Sequence, residues 1–444
     1  YPDGSTTSFR VFTLPTPGRP NSGAVLPSGG VVQVPDTGTY EGFLYEQGPF
    51  STLGHASTVQ GVLSLKVYTK EGRLSAKVRT AKSTLLLRAQ EWAVPGAEGS
   101  KQASLFARGG ETLEISVEKG RVRGRFFGGA LGAAEYRVEG MRSRLEDAGD
   151  TAVRDALERV AGYYTVALPH VAAQSGSERV DAAPHGVGYL TLTVGARGQV
   201  KIAGKLADGS SVSLATRLLL PDIEGEAIRI PVFLPLYMRK GWMGVLLRLT
   251  PDGRVAATDS AEGWYAAWAK QRGGADDFHM LMEVCGGRYI GINGFPDRLR
   301  FRADLGPVPY YTRDAISEWS IAPDGVPVTV SGNRLSAAKG NRPHIDDSGR
   351  YQFSGLNPTS TVLSGSLRNG LFKGTYKLYY EWEAGERIMH KALVVPYRGV
   401  LVQERSEAFR DWPVGFGYCL VPDSDPALRG YRLKRSFGVS LVSE

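Results

Sequence analysis

Cysteine is scarce: Cys285 and Cys419 are the only two in 444 residues. A chain this long cannot depend on a disulfide framework. With no Cys-x-x-Cys, neither thiol has the partner that zinc or redox chemistry needs. The pair is either one bridge, joining the start of a C-terminal unit to its end, or two separate buried thiols. Histidine is sparse as well. The six, His55, His170, His185, His279, His344 and His390, include no pair at i, i+2 or i, i+4, spacings that place two imidazoles on one metal. No Gly-x-Ser-x-Gly elbow presents a nucleophilic serine. No apolar run is long enough for a membrane helix; the densest, Ile230 to Met238, is short and interrupted by Pro231 and Pro235. The formal net charge of +8 is modest for this length. Without a recognition motif it does not indicate nucleic acid. The expectation is therefore no enzyme, no cofactor, no metal, no nucleic-acid partner and no transmembrane segment.

Turn formers and alternating strands are plentiful. The 56 glycines and 25 prolines exceed the roughly 12 % these two residues average, with no collagen period. They suit many short strands joined by tight turns. Residues 61–67 and 73–78 alternate apolar and polar around a turn at Lys70-Glu71-Gly72, and residues 112–117 and 121–126 do so around Lys119-Gly120. Period two marks half-buried strands. Asp150-Thr151 can cap a helix whose Val153, Ala156, Leu157 and Val160 share one face, with Gly162 as its stop. Beyond it the pattern recurs: Leu190, Leu192 and Val194 align with Leu63, Leu65 and Val67, and Ala161-Gly162-Tyr163-Tyr164-Thr165 resembles Gly38-Thr39-Tyr40-Glu41-Gly42. Asn369-Gly370, between residues 362–367 and 371–376, is a strong hairpin signal.

The predicted fold is all-β: tandem small barrels or sandwiches with an internal duplication, one short linker helix and an extended N-terminal arm. The predicted divisions are an arm (1–37), a first β domain (38–141), a linker helix (142–161), a second β domain (162–273) and a C-terminal β domain (274–444). In the arm, Phe9, Val11, Phe12 and Leu14 suit a strand with no hairpin partner nearby. Such a strand can complete a sheet edge of its own chain or of a neighbouring copy.

Several stretches resemble one family. Gly38-Thr39-Tyr40-Glu41-Gly42-Phe43-Leu44-Tyr45 is similar to the GTYxGxxYD opening of β-strand-rich modules near the C-termini of large secreted bacterial surface proteins. Gly204-Lys205-Leu206-Ala207-Asp208-Gly209-Ser210 resembles their GTLADGT turn, and Ile230-Pro231-Val232 through Leu236-Tyr237 their VPVxxPLY stretch. Residues 369–376 resemble TGxFKGSF. Gly399-Val400-Leu401-Val402 and Gly415-Phe416-Gly417-Tyr418 resemble GVVVDGVGYG, here interrupted by Gln403 to Val414. The likeness spans most of residues 38–420. It implies secretion and display at the cell surface or outside the cell, and carries no catalytic residue over.

Some residue groups suit chemistry or binding, each beside a plainer reading. Asp276-Asp277, Asp346-Asp347 and Asp423/Asp425 supply oxygen ligands of the kind calcium takes, and equally are turn acids. Glu381 and Glu383 share a strand face at a separation of about 6.5–7 Å, near that of glycosidase acids, and equally are a solvated face. Arg121, Arg123 and Arg125, and likewise Arg298, Arg300 and Arg302, line strand faces that meet water or an acidic glycan. Trp264, Trp268, Tyr380 and Trp382 are candidate sugar-stacking rings, against core packing as the default. The functional expectation is a non-enzymatic extracellular structural protein, the self-associating subunit of a filament or surface layer. The alternative is a carbohydrate-binding or adhesin-like surface module.

Overall fold

The structure, a computed structural model, describes residues 37–50, 54–68, 73–89, 101–132, 134–146, 150–174, 183–221, 227–257, 263–274 and 276–291. Further on it describes backbone strands between 299 and 354, then 362–366, 368–384, 387–403, 413–422 and 434–443. The arm residues Phe9, Val11, Phe12 and Leu14 lie outside the described residues.

Eight strands close a first barrel in chain order: β1 (Gly38–Phe50), β2 (Gly54–Val67), β3 (Leu74–Thr80), β4 (Thr84–Ala89), β5 (Lys101–Phe106), β6 (Glu111–Glu118), β7 (Arg121–Gly128) and β8 (Glu135–Arg142), with β8 returning to β1. Alternation decides what the lumen holds. On β6, Leu113, Ile115 and Val117 are buried while Thr112, Glu114 and Ser116 are not. Tyr40, Leu65, Val78, Leu105, Phe126 and Val138 complete an apolar interior. The wall outside carries Glu114, Arg125 and Arg137. A barrel that crosses a membrane has the reverse arrangement, apolar outside and polar within. The β6–β7 turn uses left-handed Lys119 and Gly120 (φ 46° and 73°), the backbone of a two-residue hairpin.

The one α-helix among the described residues, α1 (Thr151–Val160), starts where its cap predicts: the Asp150 carboxylate accepts from the Ala152 N–H. Val153, Leu157 and Val160 are its buried residues.

A second sheet follows: β9 (Gly162–Leu168), β10 (His170–Gln174), β11 (Gly188–Val194), β12 (Gln199–Lys205), β13 (Ser211–Arg217), β14 (Ile228–Leu236), β15 (Gly241–Leu249), β16 (Arg254–Ala257), β17 (Ala266–Lys270), β18 (Phe278–Met282) and β19 (Cys285–Arg288). Within it, β9-β11-β12-β13 and β14-β15-β16-β19-β9 follow the order of the first barrel. Pairing coincides residue by residue. Tyr40 faces Leu65 as Tyr164 faces Leu192, and Gly38 faces Val67 as Gly162 faces Val194. The weak join coincides too: β4 meets β5 through the single pair Arg88–Phe106, and the ends of β13 and β14 meet through the bridge Leu219–Arg229. The sequence division at 273 falls short of this sheet. β19 is its closing strand, bound to both β16 and β9, and Cys285-Gly286-Gly287-Arg288 has no apolar alternation to announce it.

Strands β17, β18 and β10 extend from β15, and their outer face meets the first barrel. Phe43, Ala56 and Val59 from the first barrel pack with Phe233, Trp242, Leu246, Trp264, Ala267, Ala269 and Leu281. Each large side chain buried there contributes about 1.5–3 kcal/mol. Backbone bonds fasten the contact, with Ser57 N–H donating to the Gly263 carbonyl at 2.7 Å, and the Arg79 guanidinium donates to the Phe233 carbonyl at 3.0 Å.

The remaining strands are β20 (Leu299–Asp304), β21 (Trp319–Ser320), β22 (Thr329–Val330), β23 (Asn333–Arg334), β24 (Arg342–Ile345), β25 (Tyr351–Ser354), β26 (Val362–Ser366), β27 (Leu371–Ala384), β28 (Arg387–Leu401), β29 (Gly415–Pro422) and β30 (Lys434–Ser443). Seven form a sheet ordered β21-β20-β30-β29-β28-β27-β26. The interrupted glycine motif is reunited there: Gly399 faces Gly417 and Val400 faces Phe416 across β28 and β29. Val400, Val402, Phe416 and Tyr418 join the core of the second sheet. The Ser436 hydroxyl donates to the Ala207 carbonyl at 2.6 Å.

Candidate functional site

Of the two readings left open for the cysteines, the structure has the second: Cys285 and Cys419 form no disulfide with each other, and both are buried. They belong to different sheets, Cys285 on β19 and Cys419 on β29. Cys419 sits 3.3 Å from the Tyr376 hydroxyl, and burial pushes its thiol up to about 12. The Cys419 thiol therefore stays protonated at neutral pH.

Two of the four candidate sugar platforms are core residues instead. Trp268 is fully buried. Trp264 lies between the barrels, edge-on to Phe43 at 5.8 Å and 5.0 Å from Tyr45. Rings this deeply buried cannot stack on a sugar. Tyr380, Trp382, Glu381 and Glu383 lie on β27, with side chains outside those described, as are those of Arg298, Arg300 and Arg302. The stripe on β7 is charge-paired in part: Arg125 binds Glu114 at 2.7 Å and Glu135 at 3.8 Å. Of the acid pairs, Asp277 accepts from Arg272 N–H and Gly273 N–H at 2.8 and 2.7 Å, and Asp276 pairs with Lys270. Both therefore act as turn acids. Asp346, Asp347, Asp423 and Asp425 lie outside the described residues.

Among the described residues, a connected polar group lies at the β14–β15 turn. Leu236 faces Gly241, so Tyr237 to Lys240 close the hairpin. Tyr237, Met238 and Arg239 all take left-handed backbone (φ 52°, 56° and 68°), a conformation that costs non-glycine residues energy and persists only when neighbours enforce it. The neighbours are on two other elements. The Tyr237 hydroxyl donates to Asp208 Oδ2 at 2.5 Å and accepts from Trp268 Nε1 at 3.0 Å. Asp208 also accepts from the Ser210 N–H and hydroxyl at 2.8 and 2.9 Å. Burial first, then the Asp208 charge, holds the Tyr237 phenol above its ordinary range. The phenol therefore stays protonated and donates. Lys270 and Arg272 lie over its ring at 5.6 and 5.2 Å. Two of the motif segments, the Ala207-Asp208-Gly209 turn and the Pro235-Leu236-Tyr237 stretch, thus meet as a latch.

These bonds tie the Asp208 turn, Trp268 on β17 and the β14–β15 turn together. The latch fixes Met238, Arg239 and Lys240, all exposed, at a turn beside exposed Gln271 and Arg272. Sequence reading missed this turn because Tyr237 to Lys240 contain neither glycine nor asparagine to announce left-handed backbone. Among the described residues, no group of three or more His, Cys, Asp or Glu is placed to hold a metal.

No known protein family and no curated protein matches the chain. Three solved structures resemble parts of it. A protein of unknown function from the DUF3598 family of Nostoc punctiforme is 12 % identical, over 57 % of this chain and 96 % of its own, with TM-score 0.19. A putative outer membrane protein from Bacteroides fragilis is 8 % identical, over 57 % and 97 %, with TM-score 0.19. The vaccine antigen transferrin binding protein B of Haemophilus parasuis, as a Trp-to-Ala mutant, is 11 % identical, over 91 % and 76 %, with TM-score 0.20.

Proposed function

We propose that this chain is a non-enzymatic, secreted or cell-surface structural protein whose copies associate into a filament or layer. One observation carries the reading: the first barrel's lumen is filled with apolar side chains, and a second apolar cluster joins it to the next sheet. Such a chain has invested its interior in a mechanically continuous scaffold. A duplicated eight-strand unit belongs to the same proposal and rests on the matching order and pairing of the two circuits. The arm is the proposed connector: residues 8–14 would add to a sheet edge of a neighbouring copy, a head-to-tail contact that repeats. Deleting residues 1–20 should leave folded chains that no longer associate. Unchanged assemblies from the shortened chain would reject the arm as connector. The alternative, a carbohydrate-binding or adhesin-like module, loses Trp264 and Trp268 to the core and rests on Tyr380 and Trp382.

A further inference from the structure

The β14–β15 turn combines features that packing does not explain. Met238 is 87 % exposed, the most exposed of the large hydrophobic residues described. It stands in the middle of three left-handed residues, so the backbone is held in an unfavourable state while its apolar side chain faces water. Cations surround its base. Arg239 donates to the Lys82 carbonyl at 3.2 Å, which brings the turn before β4 alongside. The Gln271 N–H donates to the Lys240 carbonyl at 2.7 Å, which brings Arg272 alongside. Lys82, Arg239, Lys240 and Arg272 are all exposed.

The local acids are already engaged. Asp276 holds Lys270, Asp277 caps backbone N–H groups, and Asp208 takes Ser210 and Tyr237. Among the described residues no carboxylate lies within ion-pair distance of Lys82, Arg239, Lys240 or Arg272. Four like charges thus flank an apolar knob, unpaired by any carboxylate among the described residues.

The geometry points to a peripheral docking tip for an anionic lipid surface, with Met238 entering the headgroup–acyl boundary and Lys82, Arg239, Lys240 and Arg272 meeting lipid phosphates. An acidic polysaccharide would satisfy the cations but leaves the projecting thioether unused. A bilayer uses both: apolar side chains at the boundary and cations at the phosphates are what interfacial binding draws on. The latch beneath supplies preorganisation, since the knob needs no ordering on contact.

The test is sedimentation of the full chain with phosphatidylcholine vesicles carrying about one-third phosphatidylglycerol, beside vesicles of phosphatidylcholine alone. Binding to the anionic vesicles only, falling as salt rises, is expected. Reversing charge with Arg239→Glu and Lys240→Glu together should weaken it about tenfold or more. Lys82→Glu, on a separate turn, should weaken it as well. Met238→Ser should weaken it about three- to tenfold, while Met238→Phe strengthens it. All four positions are exposed, and an unchanged thermal melt verifies that each variant folds. Equal binding to neutral vesicles, or indifference to the charge reversal, overturns the inference. So does a chain that binds soluble polygalacturonate as tightly as vesicles while Met238→Ser changes neither.

Discussion

Tyr237 is where one hydroxyl ties three elements together, and its loss has two separable consequences. Tyr237→Phe removes the donor to Asp208 and the acceptor of the buried Trp268 N–H. A buried donor left without a partner costs about 1–3 kcal/mol, so urea denaturation should show a loss of that size near neutral pH. The pH dependence follows from proton binding. Burial and Asp208 raise the phenol's pKa in the folded state above its unfolded value near 10. The folded chain therefore binds this proton more tightly, and the stabilisation is complete below the unfolded value. It fades as pH rises from there through the folded value. Tyr45, Tyr289 and Tyr418, each pushed up to about 12, chiefly by burial, act in the same sense. Stability should fall above about pH 10, and fall less steeply in Tyr237→Phe. Equal slopes for the two chains would remove Tyr237 from this account.

Among the elements, the barrel-to-barrel contact is the most exacting. Gly244 on β15 lies where a Cβ would stand 2.1 Å from the Val59 carbonyl oxygen on β2. Backbone blocks the space, so Gly244→Ala must push the two elements apart. A cost of about 1–3 kcal/mol is expected, read as a lower thermal midpoint, with limited proteolysis cutting first between the barrels. A variant as stable as its parent would contradict the close approach. The hairpins were legible in the sequence because inward residues such as Leu63, Leu65 and Val67 alternate with polar ones. Helix α1 was legible because Asp150 caps an apolar face repeating at helical spacing. The contact between the first barrel and the second sheet was not: Val59 shares the parity of the lumen residues Leu63 and Leu65, and the shift in pairing at Leu44/Tyr45 turns it outward. Strand β19 was silent for the opposite reason, since Cys285-Gly286-Gly287-Arg288 closes its circuit with backbone pairing and little side chain. Trp268 follows the default of core packing, but the bond from its N–H to Tyr237, which joins two distant elements, leaves no mark in the sequence.

At the scale of the whole molecule, the core is continuous rather than hollow. Buried residues of α1, the second sheet and the C-terminal sheet form one cluster that includes Val153, Leu190, Trp268, Val400 and Tyr418. A second cluster fills the first barrel, and a third joins that barrel to the second sheet. The proposed function therefore rests on what the surfaces and the arm meet. Self-association is the central claim, and sedimentation velocity of the intact chain over a wide concentration range tests it most directly. The account predicts a ladder of growing species that shift to larger size with concentration, at moderate salt and without added ligand. A single monomeric boundary at every concentration would contradict it.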